Sequence, residues 1–358
     1  MKVLLVSPLP PPTGGIARWS QIVINYFEKK DDIELTNIDI SKKYKGKTTW
    51  LKRVLYGGFG IFKVSHEVQK ALKNGSFDVM HMTTSGSLAV FRDIVLMKIA
   101  GRHAVHIVYH LHFGRIPQLA EKGTLEWRLL KRAFRLSDLV MPIDKKTEET
   151  IRKNCPETTV KLCPNPVDTD ALISLIQPYD KRIKKIVYLG HIIKTKGVEE
   201  LLDAWKTISE EYHEYRLELI GGAYDQEYAD GLKVNGSAVL IGEKPHNEAM
   251  RDLASSSVFI LPSYTEGFPN AVLEAMTLKV PIIATRVGNI PEMLKDGAGI
   301  LIEPGSSSAI EKALRLALDN ADECTQMTDR AFNRVIENYG IETVMKTYIE
   351  TWENTAQL

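Results

Sequence analysis

Short apolar runs recur along the first half of the chain at residues 2–7, 33–39, 77–82, 104–110, 138–143 and 159–163, separated by stretches with a three- to four-residue apolar period. Runs of this length between turn residues predict buried strands, and the longer-period stretches predict amphipathic helices. A second series occupies 185–190, 216–220, 238–241, 257–261, 281–284 and 299–302. Strand and helix alternating twice over predict an α/β protein of two doubly wound parallel sheets. The boundary between them is expected near 172–183, after the turn-rich Cys163-Pro-Asn-Pro-Val-Asp168 and around Gln177-Pro-Tyr-Asp-Lys181. Ligands of such sheets bind beyond the carboxyl ends of the strands, so a cleft between the two domains is the expected site.

Composition agrees with that picture and narrows it. A chain of 358 residues exceeds the size at which one core stops growing, and 44% apolar with 25% charged residues is ordinary for a globular protein. Cys155, Cys163 and Cys324 have neither metal-type spacing nor an even-numbered framework, which points to a reducing compartment and inert thiols. The opening Met1-Lys-Val-Leu-Leu-Val-Ser-Pro8 is too short an apolar run for a secretory signal and reads as the first strand. No run of 18 apolar residues occurs that could span a bilayer.

The net charge of +1 conceals a division. Up to Ile176 there are 27 Lys and Arg against 17 Asp and Glu, and beyond it 19 against 28, giving +10 and −9. Much of the excess lies in 41–73, where Lys42, Lys43, Lys45, Lys47, Lys52, Arg53, Lys63, Lys70 and Lys73 meet only Glu67. Trp50, Leu51, Leu55, Tyr56, Phe59, Ile61 and Phe62 are interleaved with them, a mixture suited to an anionic membrane surface. The same segment also reads as a basic loop and an ordinary helix, with Ile61, Val64, Val68 and Leu72 facing the core. Nucleic acid is a poorer partner, because no nucleic-acid motif accompanies the charge.

Candidate chemistry gathers at the ends of predicted strands. After the run 257–261, Glu266 falls in a turn and Glu274 one turn inside a helix, on the face of Asn270. A helix N-terminus there offers backbone N–H groups and partial positive charge to a phosphate, while two carboxylates can hold hydroxyls. That combination suits a nucleotide sugar. Gly14 and Gly15 lie between the first strand and helix, where bare backbone can approach a phosphate or sugar. The spacing is not the Gly-x-Gly-x-x-Gly of dinucleotide binders, which disfavours an NAD-dependent oxidoreductase. Period 2 places His106, His110 and His112 on one side of a strand, with His112 nearest the carboxyl edge and best placed to bond a polar ligand. No carboxylate or further histidine lies close in sequence to support a metal site. Lys194 and Lys196 sit in a loop before Gly197, where they can neutralise a diphosphate leaving group without a metal.

These segments together resemble the retaining glycosyltransferases of family 4, whose GT-B fold sets two Rossmann-like domains facing across a cleft. The resemblance covers nearly the whole chain. It is carried by Glu266-Gly-Phe-Pro-Asn-Ala-Val-Leu-Glu274-Ala-Met, Pro281-Ile-Ile-Ala-Thr-Arg-Val-Gly-Asn-Ile-Pro-Glu292, Pro164-Asn-Pro-Val-Asp168, Gly14-Gly15 and Lys196-Gly197. The resemblance implies that Glu266 contacts the donor sugar and Glu274 the ribose hydroxyls, with the backbone of Gly267, Phe268, Pro269 and Asn270 approaching sugar and phosphates. It implies that Lys196 binds the diphosphate and that His112 lies near the donor sugar. Where the family carries an arginine this chain has His191, so one charge is weakened or comes from Lys194. The base is expected to be read around Gly242 to Lys244. Residues 1–176 with 340–358 would form the acceptor domain and 177–339 the nucleotide-sugar domain.

The resemblance leads to an expectation of sugar transfer with retention, requiring no cofactor or metal, from a UDP-sugar first and a GDP-sugar second. The acceptor is expected to be a glycan or lipid-linked glycan of bacterial surface polysaccharide synthesis. The expected location is the cytoplasm, peripherally at the inner face of the cytoplasmic membrane. A nucleotide-sugar epimerase of the same architecture, or a non-catalytic membrane-associated binding protein, are the alternatives, and the intact acid pair argues against the second.

Overall fold

The computed structural model describes residues 1–11, 14–41, 50–175, 183–234 and 237–358, with the backbone alone described at 50–59 and 321. Residues 42–49, and so Lys42, Lys43, Lys45 and Lys47, lie outside the described residues, as do 176–182 of the expected boundary and Thr13. Contacts divide the chain into two units, Met1–Pro166 with Val344–Leu358, and Val167–Thr343.

The first unit is built on a parallel sheet of β1 (Lys2–Ser7), β2 (Glu34–Asp39), β3 (Val79–Thr84), β4 (His106–Leu111) and β5 (Leu139–Pro142), in the order β2-β1-β3-β4-β5. All six residues of β3 are buried, as expected for a central strand covered on both faces. Strand order reverses direction at β1, so right-handed crossovers place the helix Gly15–Phe27 on one face and Trp50–Asn74, Ala89–Gly101 and Leu125–Phe134 on the other. These three helices pack side by side as one layer. Val68 and Leu72 of the first of them are buried in the core, with Val64 packed against it, so that helix does use its apolar stripe inward.

The run 159–163 differs from the expectation of a strand. Val160 makes a single bridge to Val140, and Lys161 and Cys163 donate to the carbonyls of Val140 and Pro142 at 3.1 and 3.0 Å. Pro142 ends β5 without an N–H to return, and Pro164 comes next after Cys163, so the ladder cannot lengthen.

The second unit holds six parallel strands, β6 (Ile183–Leu189), β7 (Arg216–Ile220), β8 (Ala238–Gly242), β9 (Ser256–Leu261), β10 (Ile282–Thr285) and β11 (Ile300–Ile302), in the order β11-β10-β9-β6-β7-β8. The chain therefore folds as two parallel-sheet α/β units, as its apolar pattern predicts. Order reverses between β6 and β9, the central pair, and the loops after those strands lie side by side at the carboxyl edge. Among the described residues no helix is long and apolar enough to cross a membrane.

Candidate functional site

In the second unit, the loop after β6 and the loop after β9 are joined backbone to backbone. Gly197 has φ +69°, a conformation L side chains rarely adopt, and a Cβ there would lie 2.1 Å from the Pro262 carbonyl oxygen. Tyr264 N–H donates to the Thr195 carbonyl at 2.9 Å. The short turn Lys194–Lys196 is thereby fixed against the strand end that leads to Glu266. Gly288, with φ +56°, closes the far side, where a Cβ would lie 2.3 Å from the Glu266 carbonyl oxygen, and Asn289 N–H bonds the Gly267 carbonyl at 2.9 Å.

Within that frame Lys196 Nζ donates to Glu266 Oε1 at 2.6 Å, and Ser263 Oγ donates to the same oxygen at 2.7 Å. Thr285 in turn bonds the Ser263 carbonyl at 2.6 Å, so the carboxylate is tied to β10 as well. Glu266 Oε2 makes no bond among the described residues, and the ammonium has two further protons to give. The second acid repeats the arrangement. Glu274 is buried on the helix Asn270–Thr277, and its Oε1 lies 2.7 Å from His246 Nε2. Each acid thus keeps one oxygen for a fixed protein partner and one open.

The same helix begins at Pro269 with no side-chain cap and no acid in its first turn. Pro269 has no N–H, so donors in this stretch come from Gly267, Phe268 and Asn270 only. The Phe268 side chain is buried against Tyr339, ring centroids 5.5 Å apart, and holds the turn in place.

His191 stands against the Tyr224 ring at 4.6 Å. Burial first, and then the Lys196 charge, push it below its ordinary 6.5, against the pull of Glu243 and Glu266. That environment favours the neutral ring over a second cation. Lys194 is exposed and has no ion-pair partner among the described residues. Lys244 is committed to Asp252, 2.5 Å away, in a network that also holds the buried Lys185, whose Nζ is 3.0 Å from the other Asp252 oxygen.

In the first unit, Gly14 and Gly15 are exposed, and a Cβ at either meets nothing within 4 Å. Gly14 has φ −175°, extended backbone open to any residue, so folding by itself does not demand glycine there. His112 lies just past the end of β4, its N–H bonded to the Thr84 carbonyl at 3.0 Å. Its ring centroid lies 4.0 Å from that of His110 and 4.8 Å from that of Trp19. His106, by contrast, sits at the amino end of the strand beside Asp138 at 3.7 Å. The third histidine of the cluster is His81 on β3.

Trp352 Nε1 donates to His81 Nδ1 at 2.9 Å, which puts the His81 proton on Nε2, 3.1 Å from His110 Nδ1. His110 therefore carries its proton on Nε2, and the Nε2 atoms of both His110 and His112 are buried without a partner. No three-residue set of metal-ligating type occurs among the described residues. Burial holds His81 and His112 down at about 3, with neighbouring histidine charge adding to the effect at His112, and His110 is lowered by the same causes. Because the unfolded histidines take up protons near 6.5 and the folded ones only near 3, stability is complete above 6.5 and falls as pH drops through that window. The expected result is a melting temperature that declines steadily from pH 7 toward 4. Calorimetry showing a flat profile over that range would contradict a buried neutral cluster.

Residues 176–334 match the family described as Glycosyl transferases group 1, and residues 44–171 match Glycosyltransferase Family 4. Among characterised or provisionally assigned relatives, a putative teichuronic acid biosynthesis glycosyltransferase of Bacillus subtilis is 31% identical over 38% of this chain and 33% of its own length. A capsular polysaccharide biosynthesis glycosyltransferase of Staphylococcus aureus is 28% identical over 48% of this chain and 46% of its own. A putative colanic acid biosynthesis glycosyltransferase of Escherichia coli aligns over 95% of this chain and 96% of its own length at 21% identity. The chain thus spans half or less of the first two relatives. Among solved structures, Anabaena HepE in complex with UDP superimposes with a TM-score of 0.76 at 17% identity, covering 99% of this chain and 100% of that one. Sucrose-phosphate synthase of Thermosynechococcus elongatus gives 0.74 at 17% identity, over 99% and 98%.

Proposed function

We propose that this chain, which belongs to the group 1 and family 4 glycosyltransferases and has the GT-B fold, transfers a sugar with retention from a nucleotide diphosphate sugar. A UDP-sugar is the first choice of donor and a GDP-sugar the second. HepE is described with UDP, and with UDP-glucose, which supports that order. The acceptor is a glycan or lipid-linked glycan, in keeping with relatives described for teichuronic acid, capsule and colanic acid synthesis. Location at an anionic cytoplasmic membrane surface through 41–73 belongs to the same reading.

The observation that carries the proposal is the pair of half-occupied carboxylates in the loop and helix that follow β9, beside the lysine turn that follows β6. Glu266 Oε2 is free for a hydroxyl of the donor sugar, and Lys196 beside it has protons left for the diphosphate. Glu274 Oε2 is free for the ribose diol, its other oxygen being held by His246. The amides of Gly267, Phe268 and Asn270 meet the phosphates. In the step itself the bond from the anomeric carbon to the diphosphate oxygen breaks and the acceptor oxygen bonds that carbon on the same face. The acceptor proton passes to the departing phosphate oxygen. Lys196, and Lys194 where it reaches, stabilise the charge that develops there, so no metal is called upon.

The test is a thermal-shift panel of UDP, GDP and their sugars, because a ligand that binds only the folded chain raises the melting temperature. UDP is expected to give the larger shift. Glu274→Ala is expected to raise the UDP dissociation constant by about 10- to 100-fold, since it removes a charged acceptor of two hydroxyls. An unchanged constant by calorimetry would remove the ribose from Glu274. Incubation with donor alone distinguishes the epimerase, which would return an isomerised sugar without any acceptor.

A further inference from the structure

The three helices that cover one face of the first sheet share a pattern on their outer side. Each carries an exposed apolar residue. Leu88, at the start of Ala89–Gly101, is 79% exposed, Phe62 of Trp50–Asn74 is 73% and Leu125 of Leu125–Phe134 is 68%. Phe91 and Val95 continue from Leu88 along the same stripe, three and seven residues on, and are likewise exposed. Closer to its carboxyl end each helix carries exposed cations: Lys70 and Lys73 on the first, Lys98 and Arg102 on the second, Arg128 and Arg132 on the third. None of these six has an ion-pair partner among the described residues. The helices carry one acid each among the described side chains, and all are engaged. Glu67 pairs with Lys63 at 3.8 Å, Glu126 with Arg115 at 2.6 Å, and Asp93 is buried against Arg92 and Tyr109. The layer therefore presents apolar tips beside a band of uncompensated positive charge.

We propose that this outer face is where the protein lies on an anionic lipid bilayer. The apolar tips enter the boundary between headgroups and acyl chains, and the cations meet lipid phosphates. Charge complementarity selects that occupant, because an apolar protein partner would be better met without six unpaired cations. The proposal rests on the membrane contact assigned to 41–73 under the proposed function, but it places the main contact on the second and third helices. It also has a consequence for the acceptor: Leu88 and Leu125 lie in the segments that leave the carboxyl ends of β3 and β4, so a lipid-linked acceptor held in the bilayer would be presented at that edge.

The full chain is to be sedimented with vesicles of phosphatidylglycerol and, separately, of phosphatidylcholine. The wild type is expected to pellet with the first and remain free of the second. Leu88→Ser/Phe91→Ser/Val95→Ser, and separately Lys98→Glu/Arg102→Glu/Arg128→Glu/Arg132→Glu, are each expected to weaken phosphatidylglycerol binding by about tenfold or more. Both variants should keep the wild-type melting temperature and UDP shift, which shows them folded. Folded variants that bind as the wild type does would overturn this face while leaving 41–73 standing. A wild type indifferent to phosphatidylglycerol would overturn both. Equal binding to the two lipids, or a dimer in solution that the serine variant dissociates, would overturn an anionic bilayer as the occupant.

Discussion

Lys196→Ala is expected to lower turnover by about 10²- to 10³-fold at saturating donor, with a smaller change in the donor dissociation constant. The lysine is held 2.6 Å from Glu266, so its charge is fixed before substrate arrives rather than gathered from solvent. A charge positioned in that way counts most for the transition state, in which the bond to the diphosphate is breaking and negative charge is growing. The variant also leaves Glu266 with only Ser263, and a carboxylate no longer held by a cation moves more freely. Turnover and donor affinity measured separately decide the matter. A variant with wild-type turnover would assign Lys196 a structural role.

Gly197→Ala is expected to be at least as damaging, though it adds one methyl group. At φ +69°, with the new carbon 2.1 Å from the Pro262 carbonyl oxygen, both the conformation and a backbone contact oppose it. The loop must shift or the strand end must yield, at a cost of about 3 kcal/mol or more. The melting transition of the second unit should fall by about 6–12 °C and donor binding with it, because the displaced turn is the one that carries Lys196. Gly14→Ala is the contrast. With nothing within 4 Å of the new carbon and φ at −175°, it should leave melting within about 0.5 kcal/mol of the wild type. Equal destabilisation by both would show that the loops after β6 and β9 are not joined through their backbones.

Strand positions were legible because the apolar runs are short and well punctuated. All but one of the predicted runs became strands, the bounds moving by two residues at β3, β4 and β6 and by one or none elsewhere. The exception, 159–163, fails because proline chemistry at Pro142 and Pro164 limits pairing, and periodicity is blind to that. Glu266, Glu274 and Lys196 could be singled out because carboxylates and a lysine stand where strands give way to helices. Their partners could not. His246 is 28 residues from Glu274 and begins a different helix, and nothing in its own neighbourhood announces the bond. Gly288 reads as one more turn glycine until its approach to Glu266 is seen. Lys244 looks like a free cation in sequence, yet Asp252, eight residues on, claims it. His81 enters the histidine cluster in place of His106 because sheet register and the Trp352 hydrogen bond join residues that are far apart in the chain.

The helix Ile341–Ala356 brings Tyr348 and Trp352 to the first unit, where Trp19 Nε1 bonds the Tyr348 hydroxyl at 2.9 Å and Trp352 reaches His81. As the polypeptide leaves the ribosome, β1 to β5 are therefore available long before the aromatic cover for Trp19 and His81 has been synthesised. Val167–Thr343 emerges in the interval and has all of its own strands by then. The later unit in sequence can thus be the earlier to finish. An attempt to express residues 1–166 alone would leave an open aromatic socket, which a co-expressed or fused 344–358 segment should fill.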